Sequence, residues 1–162
     1  MATVLLVLAA LATSWSSYQA TRWNGEQAAA AGRTNAIRIE ASRAQGLAEA
    51  QTQVDVATFI AWADADQRGE QELADFYVDR FRDEFVVAFE AWQATGPLTD
   101  ANAPPTPFAM DAYQVAAREE ARALDDEAEA SAAEVRTNIQ RASNYVLTVV
   151  LYAVVLFFAG MS

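Results

Sequence analysis

The sequence predicts an all-α protein in which two long helices continue into N- and C-terminal transmembrane segments and a third, aromatic-rich helix completes a three-helix bundle. Three observations support this fold class. Both ends of the 162-residue chain are apolar and uncharged, apolar residues between them recur every three or four positions, and long stretches lack proline. We therefore expect transmembrane helices at residues 1–21 and 145–162, with an acidic helical domain at residues 22–144.

The two terminal segments are long enough to span a bilayer. Residues 2–20 and 145–161 contain no charged side chain. A hydrocarbon core of about 30 Å requires about 20 helical residues, with about 17 as the practical minimum. Aromatic side chains favour the headgroup level of a membrane, and four of them lie near the inner edges of these segments: Trp15, Tyr18, Trp23 and Tyr145.

Two other interpretations of the chain ends fit the sequence less well. A cleaved signal peptide would have a basic n-region and an A-x-A site before the domain, and the first segment has neither. An acidic domain of this size has little need of two apolar core helices at its termini. Because each span runs nearly to a chain end, we expect the chain to be a piece of a longer protein.

The first predicted helix of the acidic domain covers about residues 22–66. Its alanine-rich composition favours helix, and Ile37, Ala41, Ala44 and Ala48 follow helical spacing as a stripe of mostly small residues. The second predicted helix covers about residues 70–95, before a loop with the sequence GPLTDANAPPTP.

Aromatic residues recur at helical spacing in the second helix and predict the core of the bundle. Arg80 and Glu84 are spaced for an ion pair on the opposite, charged face of this helix. The expected core residues are Phe59, Trp62, Phe76, Phe81, Phe85, Phe89 and Trp92.

The third predicted helix covers residues 108–144, with Pro107 in the first helical position, and continues into the second span. Together they would form one helix of about 53 residues, or about 80 Å. A heptad seam follows it, and Asn138 is a polar seam residue of the kind that fixes register. The seam residues are Ala117, Ala121, Leu124, Ala128, Ser131, Val135, Asn138, Ala142, Tyr145 and Val149.

The composition excludes several kinds of chemistry. All 11 basic residues are arginine, and the chain has no cysteine, histidine or lysine. A zinc site of the usual kind, a thiolate nucleophile, a Schiff base and a serine activated by histidine or lysine are therefore excluded. The net charge of −11 would repel nucleic acid, so we expect no nucleic acid partner. We expect no enzyme activity, no catalytic, cofactor-binding or metal-binding residues, and no cofactor.

The stretch DADQRGEQELAD, residues 64–75, resembles a calcium-binding EF-hand loop in its spacing. Asp64, Asp66, Gly69, Glu72 and Asp75 match in kind. However, the fifth position is arginine, a cation where the loop needs an oxygen ligand, and the twelfth is aspartate instead of the longer glutamate. We therefore interpret the stretch as a corner between two helices, with Gly69 in a left-handed turn.

Several stretches together resemble a family of uncharacterised bacterial integral membrane proteins. They are WSSYQATRWNGEQ, FYVDRFRDEF with AFEAW, NAPPTPFAM and NYVLTVVLYAVVLFFAG. In that family the helical domain lies between the first two transmembrane segments, and a short basic stretch and another hydrophobic segment follow. The resemblance implies that both chain ends lie in the cytoplasm and that the acidic domain is extracytoplasmic, in a bacterial inner membrane. It implies no activity.

Three functions are compatible with this plan. The first is a non-catalytic structural or accessory component of a membrane assembly, in contact with membrane lipid and with copies of itself or a partner membrane protein. The second is an extracytoplasmic ligand-sensing domain. The third is a channel or transport component, although the notable polar residues of the spans are few and none ionises: Ser14, Ser16, Ser17 and Thr148.

Overall fold

The computed structural model describes residues 2–97 and 99–161, with the side chains of all of these except Ala2 and Leu5. Met1, Leu98 and Ser162, which fall within the predicted spans and loop, lie outside the described residues. The predicted all-α class is confirmed, because the described residues contain helices and no strand. The helices are α1 (Ala2–Gln67), α2 (Gln71–Val78), α3 (Asp83–Gln93), a short 3-10 helix (Pro107–Ala109) and α4 (Ala116–Gly160).

The helices form two compact units. The first unit comprises Met1–Glu40 and Ala123–Ser162, and the second comprises Ala41–Arg122. The first unit therefore contains the first part of α1 and most of α4. The second contains the remainder of those two helices, together with all of α2, α3 and the 3-10 helix.

In the first unit, α1 and α4 pack as an antiparallel pair. Residues further along α1 contact residues nearer the start of α4. Three contacts fix this register: Arg141 over the Trp23 ring at 4.5 Å, Arg33 Nη2 to Glu134 Oε2 at 3.0 Å, and Thr34 Oγ1 to Ser131 Oγ at 2.8 Å. Small side chains fill the seam and allow the two backbones to approach closely. The buried seam residues of this unit include Ala20, Ala30, Thr34, Ala128, Asn138 and Ala142.

The predicted seam of α4 is confirmed as its packed face. All ten of its positions are buried or half-buried, and Asn138 is among the buried ones. The small-residue stripe of α1 is likewise buried or half-buried at Ile37, Ala41, Ala44 and Ala48. Hydrophobic spacing therefore identified the inward faces of both long helices correctly.

The apolar ends of α1 and α4 are not covered by the rest of the chain. Of the two predicted transmembrane segments, only the second is found in this way: among the described residues, α4 is the single helix that is long and apolar enough to cross a membrane, and 6% of its apolar 18-residue window is buried. A core helix of a water-soluble domain would be mostly buried there. In α1 the corresponding apolar side chains are also exposed, among them Val4, Val7, Leu8 and Leu11.

In the second unit, aromatic rings from α1, α3 and the loop before α4 form one core. The cluster of buried residues contains Trp62, Phe81, Phe85, Phe89 and Trp92, as predicted, with Phe59 half-buried against them. Most neighbouring rings meet edge to face, the arrangement that aromatic quadrupoles favour. Phe76 was wrongly assigned to this core: it is 45% exposed, and Arg80 lies over its ring at 3.4 Å.

The single helix predicted for residues 70–95 is wrong, because the chain leaves the helix at residues 79–82. Arg82 is extended, with ψ at 144°, and α3 begins immediately after it. This break turns Phe81 into the core and aims Arg82 at Asp55. The predicted Arg80–Glu84 pair is also wrong, because Glu84 pairs with Arg82 at 2.9 Å.

The third helix begins later than predicted, at Ala116 instead of residue 108. Pro107 does occupy a first helical position, but that of the 3-10 helix. The residues that follow are drawn out of helix by packing, since Phe108 stacks on Phe85 at 5.2 Å and Tyr113 meets Phe108 edge-on at 5.1 Å. Tertiary contacts have therefore overridden local helix preference here.

Candidate ligand-binding groove

The second unit contains a buried carboxylate, Asp55, at a seam position of α1. Its side chain is only 1% exposed, and Arg82 grips both carboxylate oxygens, with Nε to Oδ1 at 3.0 Å and Nη2 to Oδ2 at 2.9 Å. A two-pronged contact of this kind supplies fixed geometry as well as charge. It ties the start of α3 to α1, at one side of the aromatic core.

Two further side chains complete this polar cluster. The Tyr113 hydroxyl donates to Asp55 Oδ2 at 3.0 Å, and Glu84 Oε2 accepts from Arg82 Nη1 at 2.9 Å. The hydrogen bond to Asp55 is the largest cause that raises the pKa of Arg82 far above its usual range. Burial is the main cause that raises the pKa of Tyr113, so the phenol stays neutral and remains a donor. We interpret the cluster as a structural clamp.

A groove opens on another side of the same core. It consists of two adjoining cavities, of about 260 and 450 Å³, that share Trp62, Asp66, Trp92 and Pro97. The larger cavity is within the size range of small-molecule sites. We call this larger cavity the aromatic groove. Its lining includes Phe59, Trp62, Asp66, Trp92, Asp100 and Pro104.

Three rings form the apolar corner of the aromatic groove. Phe59 and Trp62 stack, with ring centroids 5.6 Å apart, and Trp92 stands at 84° to Trp62 at a distance of 6.0 Å. The Trp92 indole Nε1 donates to the Pro104 carbonyl at 2.8 Å, which fixes the ring against the loop. The walls are therefore set by the fold before any ligand arrives.

The polar groups of the aromatic groove are acidic. Asp66 and Asp100 line the larger cavity, and no arginine belongs to its described lining. Asp100 Oδ1 accepts from the backbone N–H of Asn102 at 2.8 Å. Within the described part of the chain, neither Asp100 Oδ2 nor the Asp66 carboxylate has a hydrogen-bond or ion-pair partner. The groove therefore combines aromatic side chains with unpaired negative charge.

The EF-hand-like stretch is a corner between helices, as predicted. The helix α1 ends at Gln67, Gly69 is left-handed with φ at 73°, and α2 begins at Gln71. Arg68 pairs with Asp64 at 2.8 Å, so the arginine engages a carboxylate that a calcium-binding loop would use to hold the ion. Across the described residues, no group of three or more acidic side chains is placed to hold a metal ion. Of the matching positions, only Asp66 belongs to the groove.

Sequence reasoning identified the aromatic walls as core and missed the polar residues that flank them. Asp55 carried a usable signal, because it lies on the same helical face as Ala48, Phe59 and Trp62. A lone charged residue on an apolar stripe predicts a buried ion pair. Its partner could not be found in this way, since Arg82 was assigned to the interior of a continuous helix.

No family model matches the chain, and no curated protein and no solved structure matches it.

Proposed function

We propose that the protein is a non-catalytic, membrane-anchored helical protein that acts as a structural or accessory component of a membrane assembly. The observation that carries this proposal is the unburied apolar end of α4. Covering that surface in water would require a partner or a bilayer, and its length suits a bilayer. The exposed apolar end of α1 supplies the second proposed span.

The hydroxyl groups of the proposed spans support the same conclusion. Thr13 donates to the Ala9 carbonyl at 2.7 Å, and Thr148 donates to the Asn144 carbonyl at 2.8 Å. In lipid, an unsatisfied polar group costs several kcal/mol, and such bonds within one helix remove that cost. These side chains therefore need no aqueous pore to satisfy them.

We further propose that the protein assembles with copies of itself or with a partner membrane protein. In the second unit, α1 presents an exposed stripe at steps of four and three residues: Arg43, Leu47, Ala50, Val54 and Ala57. The predicted three-helix bundle stays a proposal, with the aromatic-rich residues 70–95, which contain α2 and α3, as its third element. Following the family resemblance, we propose a bacterial inner membrane with the acidic residues outside the cytoplasm.

Carbonate extraction of membranes from expressing cells tests the anchor. The protein should remain in the pellet and should enter solution only with detergent. Val150→Arg and Val154→Arg, combined with Leu8→Arg and Leu11→Arg in the proposed span of α1, should release it, because each arginine costs about 3 kcal/mol at the centre of a span and either span alone would retain the protein. Val87→Arg is the matched control, because Val87 is similarly exposed (58% against 53% for Val150) but belongs to α3. Release of the unmodified protein by carbonate would contradict the anchor.

A second measurement tests assembly. The mass of the detergent-solubilised protein, after subtraction of bound detergent, should exceed that of one 17.6 kDa chain, or a partner should copurify. A strict monomer without a copurifying partner would contradict the accessory role.

A ligand-sensing domain is the second candidate function, and the aromatic groove is the observation that favours it.

A further inference from the structure

The geometry of the aromatic groove points to a specific class of ligand. We propose that it binds a small organic cation with a quaternary ammonium group, taken from solution. This inference deepens the second candidate function and does not depend on the membrane anchor. The ring geometry, the charge of the lining and the size of the cavity all support this ligand.

The rings provide the surface that such a cation requires. A quaternary ammonium is too weakly hydrated to need hydrogen bonds and is attracted to the negative faces of aromatic rings, tryptophan most strongly. Trp62 and Trp92 meet at 84°, Phe59 stacks on Trp62, and the accessible parts of all three rings line the cavity. A rounded cation placed at such a corner contacts more than one aromatic surface.

The charges in the groove favour a cation over an anion or a neutral molecule. Asp66 and Asp100 both line the cavity, and no arginine belongs to its described lining. Asp66 is half-exposed and Asp100 is exposed, so both carboxylates attract a nearby cation with partial screening by water. Any ligand with a positive centre therefore gains from both carboxylates, and an anion is repelled.

The same lining disfavours a bare metal ion. Calcium takes six to eight oxygen ligands, and magnesium requires six at octahedral positions. Two carboxylates in an aromatic groove fall short of either set, and no metal-holding acidic group occurs within the described residues. An organic cation brings its own apolar shell and needs only diffuse negative charge. This difference favours an organic cation over a metal ion as the ligand.

The size and rigidity of the groove are consistent with this ligand. A volume of about 450 Å³ accommodates a small molecule. The bond from Trp92 Nε1 to the Pro104 carbonyl holds one wall in place, and the aromatic core holds Trp62. Little ordering is then required on binding, which is a main cost of association for flexible sites.

The test uses the full chain in maltoside micelles and choline chloride as the probe, at constant ionic strength set with sodium chloride. Titration calorimetry and tryptophan fluorescence should both report saturable binding in the millimolar range. The uncharged isostere 3,3-dimethyl-1-butanol should bind at least about tenfold more weakly, since it has the same shape without the charge. Equal binding of the two compounds would overturn the proposal, and so would the absence of saturable choline binding.

Two matched variants locate the binding. Asp66→Asn should raise the Kd for choline about fivefold. Asp79→Asn removes the same charge from an exposed residue outside the groove and should leave Kd within about twofold. Equal effects of the two variants would show general attraction to an acidic protein and would overturn the site. Because Asp66 is half-exposed, neither variant should alter the near-ultraviolet circular dichroism of the core.

The last arm distinguishes a dissolved ligand from a lipid headgroup. Phosphatidylcholine added to the micelles should not displace choline, and displacement would overturn the assignment to a ligand from solution. The binding assay is performed in detergent and does not depend on the spans. Failure of choline binding therefore leaves the carbonate result unaffected, and release by carbonate leaves the groove unaffected.

Discussion

The two units use the same helical spacing for different kinds of core. In the first unit the seam between α1 and α4 is filled by alanine, and Thr34 and Ser131 share a hydrogen bond across it. In the second unit the continuing face of α1 presents Asp55, Phe59 and Trp62 to an aromatic core. Spacing decides which face of a helix is packed, whereas side-chain size and charge decide what packs against it.

The two units also differ in how much their ion pairs contribute to stability. The ion pair of the first unit, Arg33 with Glu134, joins side chains that are 54% and 52% exposed. Pairs of this kind contribute at most about 1 kcal/mol, because water and salt screen them. The pair of the second unit joins Arg82 to Asp55, and the carboxylate is 1% exposed. Removing Arg82 there leaves the Asp55 carboxylate buried without its ionic partner.

The largest expected effect is therefore the loss of the buried pair. Arg82→Met should lower the free energy of unfolding of the second unit by about 3 kcal/mol, because it leaves Asp55 buried with only the Tyr113 hydroxyl. Urea unfolding in maltoside micelles, followed by tryptophan fluorescence, measures this change. In the first unit, Arg33→Met should cost less than about 1 kcal/mol.

A double variant sharpens this prediction. Asp55→Leu with Arg82→Met removes both charges, and a buried ion pair replaced by apolar groups of similar size is often near neutral. The double variant should therefore recover most of the stability that Arg82→Met loses. If the double variant is as unstable as the single one, the loss arises from packing around Arg82 and the electrostatic explanation is wrong.

The comparison also explains what the sequence could predict. The faces of α1 and α4 were predicted because their seams repeat over many turns, so single exceptions do not obscure the pattern. The break at residues 79–82 was not predicted, because the contact that accompanies it joins Arg82 to Asp55, which lies 27 positions away in the sequence. The aromatic groove was missed for a related reason. Its carboxylates, Asp66 and Asp100, belong to different segments that only the fold brings together.

The second prediction concerns the close approach of helices in the first unit. Ala30 is fully buried, and a larger side chain there must separate α1 from α4. Ala30→Leu should destabilise the first unit by about 1–3 kcal/mol, the usual cost of overpacking a tight interface. Thermal unfolding followed by far-ultraviolet circular dichroism measures it. The control is Ala36→Leu, an exposed position of the same helix that should change little.

A contrary result would be equally informative. If Ala30→Leu is tolerated as well as Ala36→Leu, the seam of the first unit has free space. Small residues there would then not be required for packing between α1 and α4. The alanine seam would contribute to the free energy of unfolding no differently from a seam of larger residues.

The smallest expected effect is a pH dependence confined to the second unit. Burial raises the pKa of Tyr113 above its ordinary value of 10.0, so folding favours the neutral phenol. The associated stability is complete below about pH 10 and is lost as the pH rises through the folded-state pKa. Tyr113→Phe should cost about 1 kcal/mol at neutral pH through the lost bond to Asp55, and should lessen the alkaline decline.

Urea unfolding of the second unit between pH 8 and 11 measures this dependence, with Tyr18→Phe as the control. Tyr18 belongs to the first unit and is 61% exposed, so its removal should leave the alkaline decline intact. If Tyr113→Phe declines as steeply as the unmodified protein, the phenol has no part in it. The polar cluster around Asp55 would then be insensitive to alkali, because the Arg82 guanidinium stays charged throughout this range.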